Sequence, residues 1–202
     1  MGKTEDKESR RERALRFLRL ESRGKIQRAI LGIIIGVIGY ILLYQLTLPS
    51  YKLLSMITIQ FNLAILVIPV IGVFFGPLAG LLVGIIGATG GDALFTQQII
   101  AFGLINLSYG LLGFIAGIPH YKGFSSGRTL AKVILFTIGG LLVMAAIYLV
   151  ALIEVAGQNM LVTLLYNFLP FINVSFITLF LMTPTAVRLI DALTSYARKR
   201  IS

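Results

Sequence analysis

Long apolar runs, broken by brief polar or glycine-proline interruptions, dominate the chain from residue 26 to residue 182. A helix needs roughly 20 apolar residues to cross the hydrocarbon core of a bilayer. Runs of that kind lie at about 26–47, 53–75, 77–95, 98–119, 129–153 and 160–182. Their punctuation is Leu48-Pro49-Ser50, Gly76-Pro77, Pro119-His120, the GFSSG loop at 123–127 and Gly157-Gln158-Asn159. The pattern predicts an all-α integral membrane protein, a six-transmembrane-helix bundle over residues 26–185. A basic arm, 1–25, precedes the bundle and a basic tail, 186–202, follows it.

Composition agrees with that class. Hydrophobic residues make up 57% of the chain and charged residues 13%, against roughly 25% charged in soluble domains. The charge of +10 changes the picture only through its placement. Ten of the 18 basic residues precede residue 29, three (Lys122, Arg128, Lys132) flank one loop, and four (Arg188, Arg198, Lys199, Arg200) lie in the tail. With six spans, 17 of the 18 fall on one side and Lys52 alone on the other. The positive-inside rule then predicts a multi-pass protein of the cell membrane with both termini cytoplasmic. Clustering at loops speaks for membrane topology, and no nucleic-acid partner is expected. The first run is too long for a signal-peptide core, so it is expected to remain as an anchor.

The arm also carries Ala14, Leu15, Phe17, Leu18 and Ile26 at near-helical spacing among its basic residues. Two readings stand open: an amphipathic helix on the anionic leaflet, or a disordered basic tail that only sets orientation. The tail, with Val187, Ile190, Leu193, Tyr196 and Ile201, reads the same way.

Polar residues inside the runs are distributed unevenly. Gln60 and Asn62 in the second run, Thr89 and Asp92 in the third, Asn106 in the fourth, Glu154 and Asn159 around the loop after the fifth, and Tyr166 and Asn167 in the sixth all map to the outer half. A polar side chain in hydrocarbon is costly unless it finds a partner or water. Several at similar depth, from different helices, predict a substrate-binding pocket for a small molecule, open to the outside. Taken singly, each amide reads better as a bond between helices, and only the set points to a pocket. Pro170, inside the sixth run, removes a backbone donor and frees the Tyr166 carbonyl, as in the broken helices that line transporter sites.

The stretch from Phe75 to Asp92, FGPLAGLLVGIIGATGGD, contains six glycines in eighteen residues. Glycine in a helix interior costs about 1 kcal/mol relative to alanine. Gly76, Gly80, Gly84, Ala88 and Asp92 recur every four residues, which places them along one helix face. A face this smooth predicts close helix packing of the small-xxx-small kind, with a shorter version at Gly32 and Gly36. Whether it is a static seam or a sliding surface is left open by the sequence.

Catalytic chemistry is not evident. There is no cysteine, one histidine (His120), no HExxH and no acid pair at helical spacing within the apolar runs. Enzyme activity, a metal site and a cofactor are therefore not expected.

Six spans in about 200 residues, with a third span that opens FGPLAGLLVG and ends near GGD, resemble the substrate-binding (S) subunits of energy-coupling factor transporters. The resemblance covers residues 26–185 in layout and 75–92 in motif. It implies a receptor that captures a vitamin or related micronutrient from outside. Its partners would be a transmembrane coupling subunit and two cytoplasmic ATPase subunits. Docking in that family often uses two alanines four apart in the first span. Here Ala29 is followed by Ile33, and Gly32 with Gly36 is the nearest equivalent. A membrane scaffold or sensor-type protein that transports nothing is the alternative, and an ion-coupled carrier lacks an acid at mid-membrane.

Overall fold

The computed structural model describes residues 12–44, 47–53, 57–95, 103–121, 123–124, 126–156 and 160–201. Only the backbone is described for 47–62 and for a few positions of the last helices, Tyr166 and Asn167 among them. Helix α1, Arg23–Tyr44, starts where Ser22 accepts from the Lys25 backbone N–H through its carbonyl (3.0 Å) and its hydroxyl (3.4 Å). That is an N-cap, satisfying a donor the helix cannot. Its buried residues, Ala29, Gly32, Gly36 and Tyr40, form one narrow stripe. Ile30, Leu31, Ile34, Ile35, Ile38 and Leu42 on the remaining faces are exposed. Twenty-two residues give about 33 Å, enough to cross a bilayer core.

The expected second span is not one helix. Strands β1, Thr47–Leu53, and β2, Ile57–Asn62, pair antiparallel, with an irregularity between Leu48 and Tyr51. Pro49 lies at that irregularity, where a residue without an N–H is tolerated. The β-branched run Ile57-Thr58-Ile59 favours a strand although its hydropathy suits a helix. Helical structure begins with the 3₁₀ turn Leu63–Leu66 and continues as α2, Val67–Phe75. This segment is too short to cross alone, and Ile68 to Val73 are all buried. A helix apolar on every side belongs inside a bundle, and α2 is its inner element.

Gly76 ends α2 at φ 103°, a conformation that suits a residue without a side chain. Pro77 then opens α3, Pro77–Phe95, at the first-turn position where a missing N–H costs nothing. Helix α4, Gly103–Gly117, returns against α3 and α2, and α5, Gly127–Ala156, packs on α4. Ser126 caps α5 through its hydroxyl, which accepts from the Thr129 N–H at 3.3 Å. A short α-helical turn, Met160–Val162, and a π-helical turn, Thr163–Phe168, lead into α6, Leu169–Ile201, which packs on α5. Pro170 would clash with the carbonyl four residues back, that of Tyr166, and the π-helical widening falls at that residue. The sequence-predicted break is a change of helical pitch.

Four helices, α1, α3, α5 and α6, are long and apolar enough to cross a membrane, and the apolar segments Leu63–Phe75 and Gly103–Gly117 are shorter. The chain is thus a largely helical multi-pass membrane protein, with one hairpin where a helix was expected. Residues 12–17 are helical, and the Phe17 ring lies 6.1 Å from that of Phe114 in α4. Helix α6 runs through the expected boundary at 186 to Ile201.

Residues 14–20 close with a Schellman pattern: Leu20 N–H to Leu15 O at 2.8 Å and Arg19 N–H to Arg16 O at 3.1 Å. Its left-handed position, usually glycine, is Arg19 at φ 60°. The guanidinium donates to Val73 O at 3.3 Å, near the end of α2, and to Pro119 O, just after α4. A cation at two helix C-termini meets the negative ends of both dipoles. Burial pulls the Arg19 guanidinium below its ordinary value, but arginine stays charged in proteins.

The glycines of α3 meet two neighbouring helices along its length. Gly80 and Gly84 meet α4: a Cβ on Gly84 would stand 2.6 Å from Gly110 Cα, and one on Gly80 2.6 Å from the Gly113 carbonyl carbon. Backbone cannot retreat from such a contact, so glycine is required here. Gly87 and Gly91 instead face α1, where a Cβ would stand 3.0 Å from the Tyr40 ring and 2.8 Å from the Tyr44 ring. The four-residue repeat identified the first contact and overlooked the second. Gly76 lies beneath the Arg19 side chain, and Ala88 is buried in the core. Gly32 and Gly36 are covered within the chain, by Phe75 and by Ile71 with Val83.

Candidate functional site

The tyrosines seated on Gly87 and Gly91 bring α1 to Asp92. Tyr44 donates its hydroxyl to Asp92 Oδ1 at 3.0 Å, joining the C-terminal ends of α1 and α3. Asn106 Nδ2 of α4 donates to Thr89 Oγ1 of α3 at 3.1 Å. Asn106 is 2% exposed. Among the described residues nothing donates to its Oδ1, a buried acceptor left unmatched. Such an atom costs about 1–3 kcal/mol when it stays unpaired.

Aromatic rings extend this end of the bundle. Tyr44 stacks on Phe95 (5.6 Å, 15°) and lies 6.0 Å from Tyr40. Phe171 of α6 meets Tyr109 of α4 edge-on at 6.3 Å and stacks on Tyr148 of α5 at 4.4 Å. Tyr40, Tyr44, Tyr109 and Phe171 all pack on one core cluster that includes Ile65, Leu112 and Met144. Five helices therefore converge on one end, which carries a carboxylate, an orphaned amide carbonyl and several tyrosines. Carboxylate and carbonyl both accept hydrogen bonds, so this end is chemically suited to a ligand that donates them. Aromatic faces beside a carboxylate add an attraction for cations.

Not every expected residue joins this set. Thr89 and Asn106 are brought into contact, and Asp92 stands three residues after Thr89 on α3. Glu154 is exposed near the end of α5. Asn159 lies outside the described residues, and for Gln60, Asn62, Tyr166 and Asn167 only the backbone is described. Gln60 and Asn62 stand on β2, where helical depth does not apply. Sequence reasoning missed Tyr148, Phe95 and Phe171. Their signal was their position near the same ends of the apolar runs as Asp92.

Among the described residues, no group of three or more His, Cys, Asp or Glu is placed to hold a metal ion. Compared with protein-family models, curated proteins and solved structures, the chain matches none.

Proposed function

We propose that this protein is a membrane-embedded solute receptor of the S-subunit type, lying in the cell membrane with both termini cytoplasmic. It takes a small water-soluble vitamin or related micronutrient from outside and delivers it inward with a coupling subunit and two ATPase subunits. The observation that carries the proposal is the unmatched Asn106 Oδ1 beside Thr89 in the same end of the bundle as the Tyr44–Asp92 pair. An orphaned acceptor in a core is expensive, and a donor supplied by a bound solute removes that cost. The acceptors favour a solute rich in N–H or O–H groups, an amine among them. The bundle's other end gathers Arg19, Lys25, Arg28, Arg128 and Lys132, which supports the cytoplasmic assignment of that end.

The resemblance would place partner docking on the Gly32–Gly36 face. Phe75, Ile71 and Val83 occupy that face, so docking in this chain uses another surface, such as the exposed isoleucine face of α1. The alternative is a membrane scaffold that transports nothing. Gentle isolation from native membranes separates the two: the receptor reading expects a coupling subunit and ATPases to co-purify, and repeated isolation without ATPases contradicts it.

A further inference from the structure

The end of the bundle opposite Asp92 holds a cleft of about 310 Å³. Arg19, Lys25, Arg28 and His120 supply its polar lining, and Phe74 and Phe75 its apolar wall. Lys25, Arg28 and His120 are exposed, whereas Arg19 is half-buried and held by its two carbonyls. Tyr121, also in the lining, is anchored by its hydroxyl to Ala116 O at 2.7 Å. Burial pushes the Tyr121 phenol up, so it stays neutral.

The local charge must be weighed with its acids. Lys25 pairs with Glu21, and the hydrogen bond from Lys25 holds the Glu21 carboxyl below its usual range. That acid is ionised at neutral pH and offsets Lys25. The carbonyl ends of α2 and α4 likewise offset part of Arg19. Among the described residues no acid pairs with Arg28, the N-terminus of α1 adds positive character, and residues 12–28 as a whole carry six basic side chains against two acids. The surplus is positive.

We infer that this cleft is a binding site for a phosphate-bearing anion, the headgroup of an anionic phospholipid in the adjoining leaflet. A soluble phosphate would meet the same cations. The lipid is assigned because the cleft combines cations with Phe74 and Phe75 and sits where α1 begins and α2 ends, at the hydrocarbon boundary. Ile26 and Ile30 of α1, exposed beside it, extend an apolar track for an acyl chain. Headgroup and chain are thus matched by neighbouring surfaces.

Native mass spectrometry of the full chain in detergent, titrated with phosphatidylglycerol and with phosphatidylcholine, tests the site. Lys25→Gln with Arg28→Gln removes two exposed cleft charges. Arg128→Gln with Lys132→Gln removes two exposed charges at the start of α5, outside the cleft, as the control. The cleft variant is expected to lose about tenfold in phosphatidylglycerol affinity, with the control close to wild type and phosphatidylcholine unaffected. Equal losses in both variants, or none in either, overturn the site. Glycerol 3-phosphate and inorganic phosphate form the second arm. Failure to displace phosphatidylglycerol supports the lipid, and displacement at equal concentration overturns the lipid assignment in favour of a soluble phosphate.

Discussion

Asn106 and Asp92 present acceptors from neighbouring helices, and their substitutions separate binding from folding. Asp92→Asn keeps the size of the side chain and the Tyr44 contact but removes the charge, so binding of an amine-bearing solute is expected to weaken about tenfold or more. Tyr44→Phe removes one hydrogen bond and is expected to cost about 1–2 kcal/mol of stability, read by thermal unfolding in detergent. Arg19 makes a sharper test at this scale. Arg19→Gly relieves a left-handed backbone worth about 1 kcal/mol, yet it loses hydrogen bonds from a charged group to two helix ends, worth more. A net destabilisation of roughly 2 kcal/mol is expected, and a rise in melting temperature would remove the capping role. The sequence made Asp92 and Asn106 legible, because a polar group inside an apolar run has few structural reasons to be there. Arg19 was not legible: its partners lie 54 and 100 residues away, and it sat unmarked among ten basic residues.

At the scale of elements, glycine placement decides which helices touch. Gly84→Ala sets a methyl group against the Gly110 backbone and is expected to destabilise by about 1–3 kcal/mol. Gly139, in α5, has open space where a methyl group would stand, with no neighbouring atom within 4 Å. Gly139→Ala is therefore expected to be neutral or to stabilise by up to about 1 kcal/mol. Paired thermal unfolding of these variants checks both, and equal effects would contradict the contact geometry. The α3–α4 face was readable because a four-residue repeat of small residues is a helical signal. Its companion at Gly87 and Gly91 was hidden, since what it receives are tyrosine rings from a distant helix. The hairpin was hidden for a different reason. Hydropathy measures burial, and the run 53–75 is apolar whether it forms one helix or a strand followed by a short buried helix.

For the whole molecule, the two ends of the bundle differ in kind. One gathers tyrosines, Asp92 and Asn106; the other gathers cations and the capped ends of α2 and α4. Both follow from chain direction: α1, α3 and α5 run toward the Asp92 end, whereas α4 and α6 leave it. The absence of cysteine from the sequence makes topology directly measurable. A cysteine introduced at Ser126 is expected to react with an impermeant maleimide only from the cytoplasmic side, and one at Ser50 only from outside. The opposite labelling would invert the assigned orientation and move the acceptor-lined end to the cytoplasm. Solute capture itself is tested most directly by native mass spectrometry of the protein purified gently from its own membranes, beside the Asp92→Asn, Asn106→Ala variant. Wild type is expected to carry one small-molecule adduct that the variant lacks while remaining folded. The same adduct on both proteins, or none on wild type, would contradict a receptor built on these two residues.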